Sequence, residues 1–211
     1  RQLRHTNTWV GSSQRASRAP CSEAHVKITP LAIPDILLIE PTLYQDARGS
    51  FVELFNERRF QEHGLPNRFV QDNVSRSKRG VIRGLHYQRA QPQGKLISAI
   101  QGAIFDVAVD IRVGSPTFGQ WISMELQADD GRLLYVPPGF AHGFTALTDG
   151  SAVLYKCSDF YAPDDQFGIS FDDPALGIDW PVDEPVLVER DRQWPTLEHA
   201  GDTLFDFEDL T

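Results

Sequence analysis

The chain has 211 residues, 41% of them hydrophobic and 23% charged, enough for one globular domain with a sizeable core. A formal net charge of −9 disfavours a nucleic-acid binder, which needs a basic face for phosphate, yet leaves room for a small anionic substrate in a local basic pocket. No apolar run approaches the roughly 20 residues of a membrane helix. The two cysteines, Cys21 and Cys157, make no disulfide framework; apart from one possible bridge between them, they read as free thiols of a cytoplasmic protein.

Residues 1–25 carry Arg1, Arg4, Arg15 and Arg18, several serines and no acid before Glu23. That composition suits a transit peptide or an unstructured leader, so the domain is placed at 26–195. Ile36–Ile39, between Pro34 and Pro41, reads as a short strand. The turn signal Asp46-Ala47-Arg48-Gly49 precedes a second strand over 50–55. Glu57–His63, followed by Gly64, has the form of a short helix closed by glycine. From there to about residue 171 helical periodicity is nearly absent. Ala103–Arg112 alternates, with Phe105, Val107, Val109 and Ile111 on one face and Asp106, Asp110 and Arg112 on the other. Further short strands are predicted over 120–127, 132–136, 143–147 and 151–157, separated by Gly-Ser-Pro, Asp-Asp-Gly, Pro-Pro-Gly and Thr-Asp-Gly turns. Many short strands at this spacing imply a sandwich, barrel or jelly roll. Residues 196–211 form an acidic C-terminal tail with few anchors.

His5, His25 and His199 fall in the expected tails and His63 ends a surface helix, which leaves His86 and His142. A strand histidine alone is more often structural than catalytic. The segment Arg83-Gly84-Leu85-His86-Tyr87-Gln88, however, is too polar for plain core. Strict alternation would send Arg83 and His86 to opposite faces; a bulge at Gly84 would turn both toward one pocket. A metal-binding jelly roll would want a His-x-His pair, but Gln88 stands two residues after His86, and two histidines do not fill a site of three or more ligands. Taken singly, Lys95 reads as an edge lysine, Tyr155 and Tyr161 as packing aromatics, and Asp191 as a solvated acid.

Taken together these residues resemble a known family. The segments IPDILLIEP, DARGSFVE, FVQDNVSRSKRGVIRGLHYQ, QGKL, FDVAVDIRVGSPTFGQW, VPPGFAHGF, LYKCSDFY and LGIDWP occur in order between about Ile28 and Pro195, and are similar to those of the dTDP-4-dehydrorhamnose 3,5-epimerases. The resemblance implies an all-β double-stranded β-helix (a cupin jelly roll) with a few short helices, a homodimer, no cofactor and no metal. It implies His86 as the base, Asp191 as the carboxylate that orients it, Lys95 beside the ketone oxygen and Tyr155 as the proton donor. Arg83 and Arg48 match the diphosphate-binding arginines, with Arg48 reaching in from the partner subunit. Tyr161 matches the aromatic on the nucleotide base, and Gln71, Asn73, Glu53 and His142 fall at pocket positions. The departures are Val188 and Arg190, where the family more usually has Ser and Lys.

The implied reaction inverts C3 and C5 of dTDP-4-dehydro-6-deoxy-D-glucose to give dTDP-4-dehydro-L-rhamnose, for L-rhamnose biosynthesis. It is chemically coherent with these residues, since a ketone at C4 acidifies both neighbouring C–H bonds and a neutral histidine can take such a proton. Inversion of one carbon only on a related nucleotide sugar, a non-catalytic sugar-nucleotide-binding cupin, and a metal-dependent cupin oxygenase or isomerase are the alternatives.

Overall fold

A computed structural model describes residues 26–210. The leader expected over 1–25, with Cys21, His5 and His25, lies outside the described residues. The elements in chain order are β1 (Val26–Pro30), β2 (Leu37–Pro41), β3 (Leu43–Asp46), β4 (Gly49–Val52), α1 (Glu57–Glu62), β5 (Gln71–Ser77), β6 (Ile82–Gln88), β7 (Lys95–Gln101), β8 (Ala103–Asp110), β9 (Arg112–Val113), β10 (Trp121–Gln127), β11 (Leu133–Val136), β12 (Phe140–Ala146), β13 (Ser151–Cys157), β14 (Gln166–Gly168), α2 (Glu189–Arg192) and β15 (Phe205–Asp206). Among the described residues no helix is long and apolar enough to cross a membrane.

Two antiparallel sheets face each other, with strand orders β1-β2-β11-β7-β13-β5 and β10-β8-β12-β6-β14. This is the expected jelly roll. The core between them draws Ile97 and Ala99 from β7, Ile104 and Ala108 from β8, Phe140 and Phe144 from β12 and Val153 from β13. Several predicted strands differ at their ends. The second ends at Val52 rather than at residue 55, because Leu54 and Phe55 turn away to pack with Phe60 and Leu96 on the outer face of the six-stranded sheet. The helix is as expected, with Asn56 Oδ1 accepting from the Arg59 amide at 3.3 Å and Gly64 at φ +68 closing it.

The alternation in β8 holds, but neither face is wet. Val107, Val109 and Ile111 form a second apolar cluster with Leu197, Ala200 and Phe205 on the outer face of the five-stranded sheet. Residues 196–210 are therefore not a loosely anchored tail. β15 pairs with β9 in parallel, Phe205 is 2% exposed, and the Thr203 and Tyr87 hydroxyls bond at 2.7 Å. The apolar stripe on β8 needed a cover, and the acidic composition of 198–211 hid the few aromatic and aliphatic residues that supply it. On the inner side Asp106 and Asp110 are fully buried.

Candidate active site

A cavity of about 490 Å³ is lined from both sheets and α2, among others by Arg83, His86, Lys95, His142, Tyr155 and Asp191. A side chamber of about 280 Å³ adjoins it, reaching Gln71, Asn73, Cys157 and Tyr161. Together they suit a small elongated ligand.

Gly84 makes this arrangement possible. His142 faces His86 and Phe144 faces Arg83 across β12 and β6, so β6 carries one extra residue between those pairs. Gly84 takes the bulge at φ +130, and a Cβ there would lie 2.5 Å from the Gly143 Cα. Only glycine fits. The bulge turns Arg83 and His86 into the same cavity, as the sequence suggested.

His86 Nε2 lies 2.9 Å from Asp191 Oδ1, a contact between residues 105 apart in the chain. Asp191, read singly as a solvated acid, is 2% exposed. Burial lowers the His86 pKa below the ordinary histidine range; the Asp191 hydrogen bond and charge oppose this, and Lys95 and Arg190 reinforce it. Burial would raise Asp191, but the His86 hydrogen bond and charge, the Gly84 amide and Arg190 bring it below the usual carboxylate value. The pair thus rests as a carboxylate beside a neutral imidazole. An imidazole that donates from Nε2 carries its lone pair on Nδ1, as a base requires.

Lys95 is no edge residue. β7 lies between β11 and β13, and the Lys95 Nζ donates to the His86 carbonyl at 3.5 Å. Burial lowers its pKa, against the pull of Cys157 and Asp106. Burial also raises the Tyr155 hydroxyl, with Cys157 adding to the effect and Arg83 opposing it, so at neutral pH Tyr155 is a protonated acid. His142 Nε2 is held by both oxygens of Asp106, at 2.9 and 3.0 Å.

Ser77 Oγ accepts from Arg83 Nε at 3.0 Å and the Arg76 carbonyl accepts from its Nη2 at 3.2 Å, aiming the guanidinium along the cavity. In the side chamber Gln71 Oε1 accepts from the Tyr161 amide at 2.9 Å, and Gln71 Nε2 donates to Asn73 Oδ1 at 3.0 Å. Two expected residues are not brought to the cavity within this chain. Arg48 sits on the exposed β3–β4 hairpin, forked onto Asp46. Glu53 pairs with Arg59 Nη1 at 3.1 Å.

Several site residues were not singled out from sequence. Asp106 was read only as the polar face of β8. Gln166 accepts from the Tyr161 hydroxyl at 2.8 Å and from Arg190 Nη1 at 3.0 Å, and no local signal marks it. Among the described residues no group of three or more His, Cys, Asp or Glu side chains could hold a metal ion.

The family model described as dTDP-4-dehydrorhamnose 3,5-epimerase matches residues 30–199. The enzyme of that name from Pseudomonas aeruginosa is 55% identical over 177 residues, 83% of this chain and 98% of the relative. A solved Legionella pneumophila dTDP-6-deoxy-D-glucose-3,5-epimerase in complex with dTDP-4-keto-L-rhamnose superposes with a TM-score of 0.84 at 46% identity, covering 87% of this chain and 99% of that one. A 3'-monoepimerase from Streptomyces bikiniensis in complex with dTDP-quinovose gives 0.81 at 37% identity, covering 85% and 93%.

Proposed function

The chain belongs to the dTDP-4-dehydrorhamnose 3,5-epimerase family, and from that premise we propose that it inverts C3 and C5 of dTDP-4-dehydro-6-deoxy-D-glucose to give dTDP-4-dehydro-L-rhamnose. The observation that carries this reading is the His86–Asp191 pair sharing one cavity with Lys95 and Tyr155. His86 Nδ1 takes the proton from the carbon beside the C4 ketone, and the C–H electron pair moves into an enolate. The imidazolium that forms is stabilised by Asp191. Charge develops on the former ketone oxygen, which Lys95, its Nζ 3.5 Å from the His86 carbonyl, stabilises by donating to it. Tyr155 returns a proton to the carbon from the opposite face, which completes inversion; solvent then reprotonates its phenolate and removes the proton from His86. No electron is gained or lost overall, so no redox cofactor is needed.

Arg83 binds the diphosphate, for which its fork is suited. The chamber of Gln71, Asn73 and Tyr161 takes the nucleotide, with Tyr161 on the base, and His142 contacts the sugar. Arg48 serves the pocket of the other subunit in a cytoplasmic homodimer; within its own chain it sits on the exposed β3–β4 hairpin and is not among the residues lining either cavity, which supports this, and Glu53 is a further pocket position. The higher identity to a 3,5-epimerase, 55% against 37% for the monoepimerase, favours two inverted centres over one. Turnover in heavy water tests it. Deuterium should enter at both C3 and C5; entry at one carbon only would reduce the activity to monoepimerisation.

A further inference from the structure

Behind the His86–Asp191 pair stands Trp194, which lines neither cavity. Its ring meets the His86 imidazole edge-to-face, with centroids 6.2 Å apart and planes at 75°. The Arg190 guanidinium lies 5.9 Å over the same indole and its Nε is 3.5 Å from Asp191 Oδ1. The indole therefore touches both the ring of the base and the cation beside its carboxylate.

The chain is built to hold it there. A Cβ on Gly168, whose register partner across β14 and β6 is His86 itself, would fall 2.6 Å from Trp194 Nε1 and 2.7 Å from its Cδ1. Glycine opens the slot that the indole fills. Ser170 N donates to the Pro195 carbonyl at 2.7 Å, and Asp173 Oδ2 accepts from the Leu197 amide at 2.7 Å, so the backbone after Trp194 is pinned. Yet Trp194 Nε1 is buried without a hydrogen-bond partner. An orphaned donor costs stability, so the indole N–H is not what keeps this ring in place. Its shape against His86 is.

We propose that Trp194 is a positioning residue for His86: its indole fixes the imidazole against Asp191 from behind and keeps water from the rear of the base. This rests on His86 being the base. The desolvation that lowers the His86 pKa is then supplied in part by Trp194. The other titratable groups around His86 are Asp191 and Arg190 from α2, Lys95 from β7, Tyr155 from β13, Arg83 from β6, and His142 on β12 with Asp106 behind it on β8. Of these, Arg190 also packs on the indole and its charge lowers the His86 pKa, so Arg190→Gln with Trp194 in place measures that share of the shift separately.

The test compares Trp194→Leu with Trp194→Phe in the full chain. Leucine leaves a gap that water can enter, so the acid limb of kcat/KM should move up by roughly half a unit to one unit as His86 returns toward an ordinary value. kcat should fall roughly tenfold, because a loosely held base spends less time aligned, while KM stays within about twofold. Phenylalanine keeps an aromatic wall but loses the pyrrole edge that fills the slot beside Gly168, so its acid limb should move less than that of the leucine variant. Trp194→Met, whose flexible, unbranched chain leaves part of the indole's space open to water and holds the imidazole less firmly, replaces the leucine variant should that one not fold. Titration of the His86 ring protons by NMR reads the same midpoint without substrate.

A folded leucine or methionine variant with less stability but an unmoved acid limb and unchanged kcat would reduce Trp194 to packing and overturn the proposal. His86→Asn in the same assay separates the two failures. If it still exchanges substrate protons with solvent, the assignment of the base falls. If it is dead while the Trp194 variants behave as the parent, only the positioning role falls.

Discussion

Replacing Asp191 with Asn removes the carboxylate to which His86 Nε2 donates at 2.9 Å, while keeping the side-chain size in a site only 2% exposed. The resting pair loses a hydrogen bond to a charged group, worth about 1.5–3 kcal/mol. The larger effect lies in the transition state, where the imidazole becomes a cation. A charge pair about 4 Å apart at an effective dielectric of about 20 is worth about 4 kcal/mol. Some of that is offset, since the neutral amide is cheaper to bury and its oxygen can still accept from Nε2. A net loss of about 2–3 kcal/mol corresponds to a fall in kcat/KM of roughly 30- to 150-fold. The pH profile gives the sign. Asp191 raises the His86 pKa by its hydrogen bond and charge, against burial. Without it the imidazole is harder to protonate, so the acid limb, on which activity is lost as pH falls, should move to lower pH while the plateau drops. Initial rates of solvent deuterium incorporation from pH 5 to 8 measure both. A variant within threefold of the parent, or an acid limb displaced to higher pH, would refute the carboxylate–imidazole argument.

His86→Asn should lose solvent exchange and inversion together, whereas Tyr155→Phe should keep part of the exchange while inversion drops by roughly 10²–10⁴-fold; equal losses in Tyr155→Phe would move the second acid elsewhere. Arg83→Ala should raise the dissociation constant for dTDP at least tenfold and change the exchange rate of bound substrate much less, as isothermal titration beside single-turnover exchange can measure. Mixing and refolding Arg48→Ala with His86→Asn, each nearly inactive, should restore activity through one intact pocket per mixed dimer; no recovery would place Arg48 outside the neighbour's site. Phe205→Ala should cost about 3–5 kcal/mol of unfolding free energy in urea melts, because Phe205 is buried in the outer cluster with Tyr87 and Ile111; an unchanged midpoint would mean that 196–210 does not help hold the sheet.

Much of the architecture is legible in the chain because it is local. Alternation along 103–112 reflects the two-residue repeat of a strand, and the Gly- and Pro-containing turns reflect backbone angles that few residues adopt. The polarity of Arg83-Gly84-Leu85-His86 marked the strand that lines the cavity, and its glycine marked the bulge, for the same reason. What local pattern cannot carry is which distant segments meet. Lys95 opens an apolar run and reads equally as an edge or a central residue; only the order β11-β7-β13 buries it. Asp191 stands among Glu189, Arg190 and Arg192 like any surface acid, and becomes the partner of His86 only because α2 folds back onto β6 across 105 residues. The C-terminal segment reads as a polar tail by composition, but two faces of β8 had to be dried, and three side chains, Leu197, Ala200 and Phe205, help to cover the outer one. Trp194 gave no signal at all, since its role depends on the slot that Gly168 leaves beside His86. Strand and turn preferences are set by neighbours a few bonds away, whereas burial and the pKa values that follow from it are set by whatever the fold packs alongside.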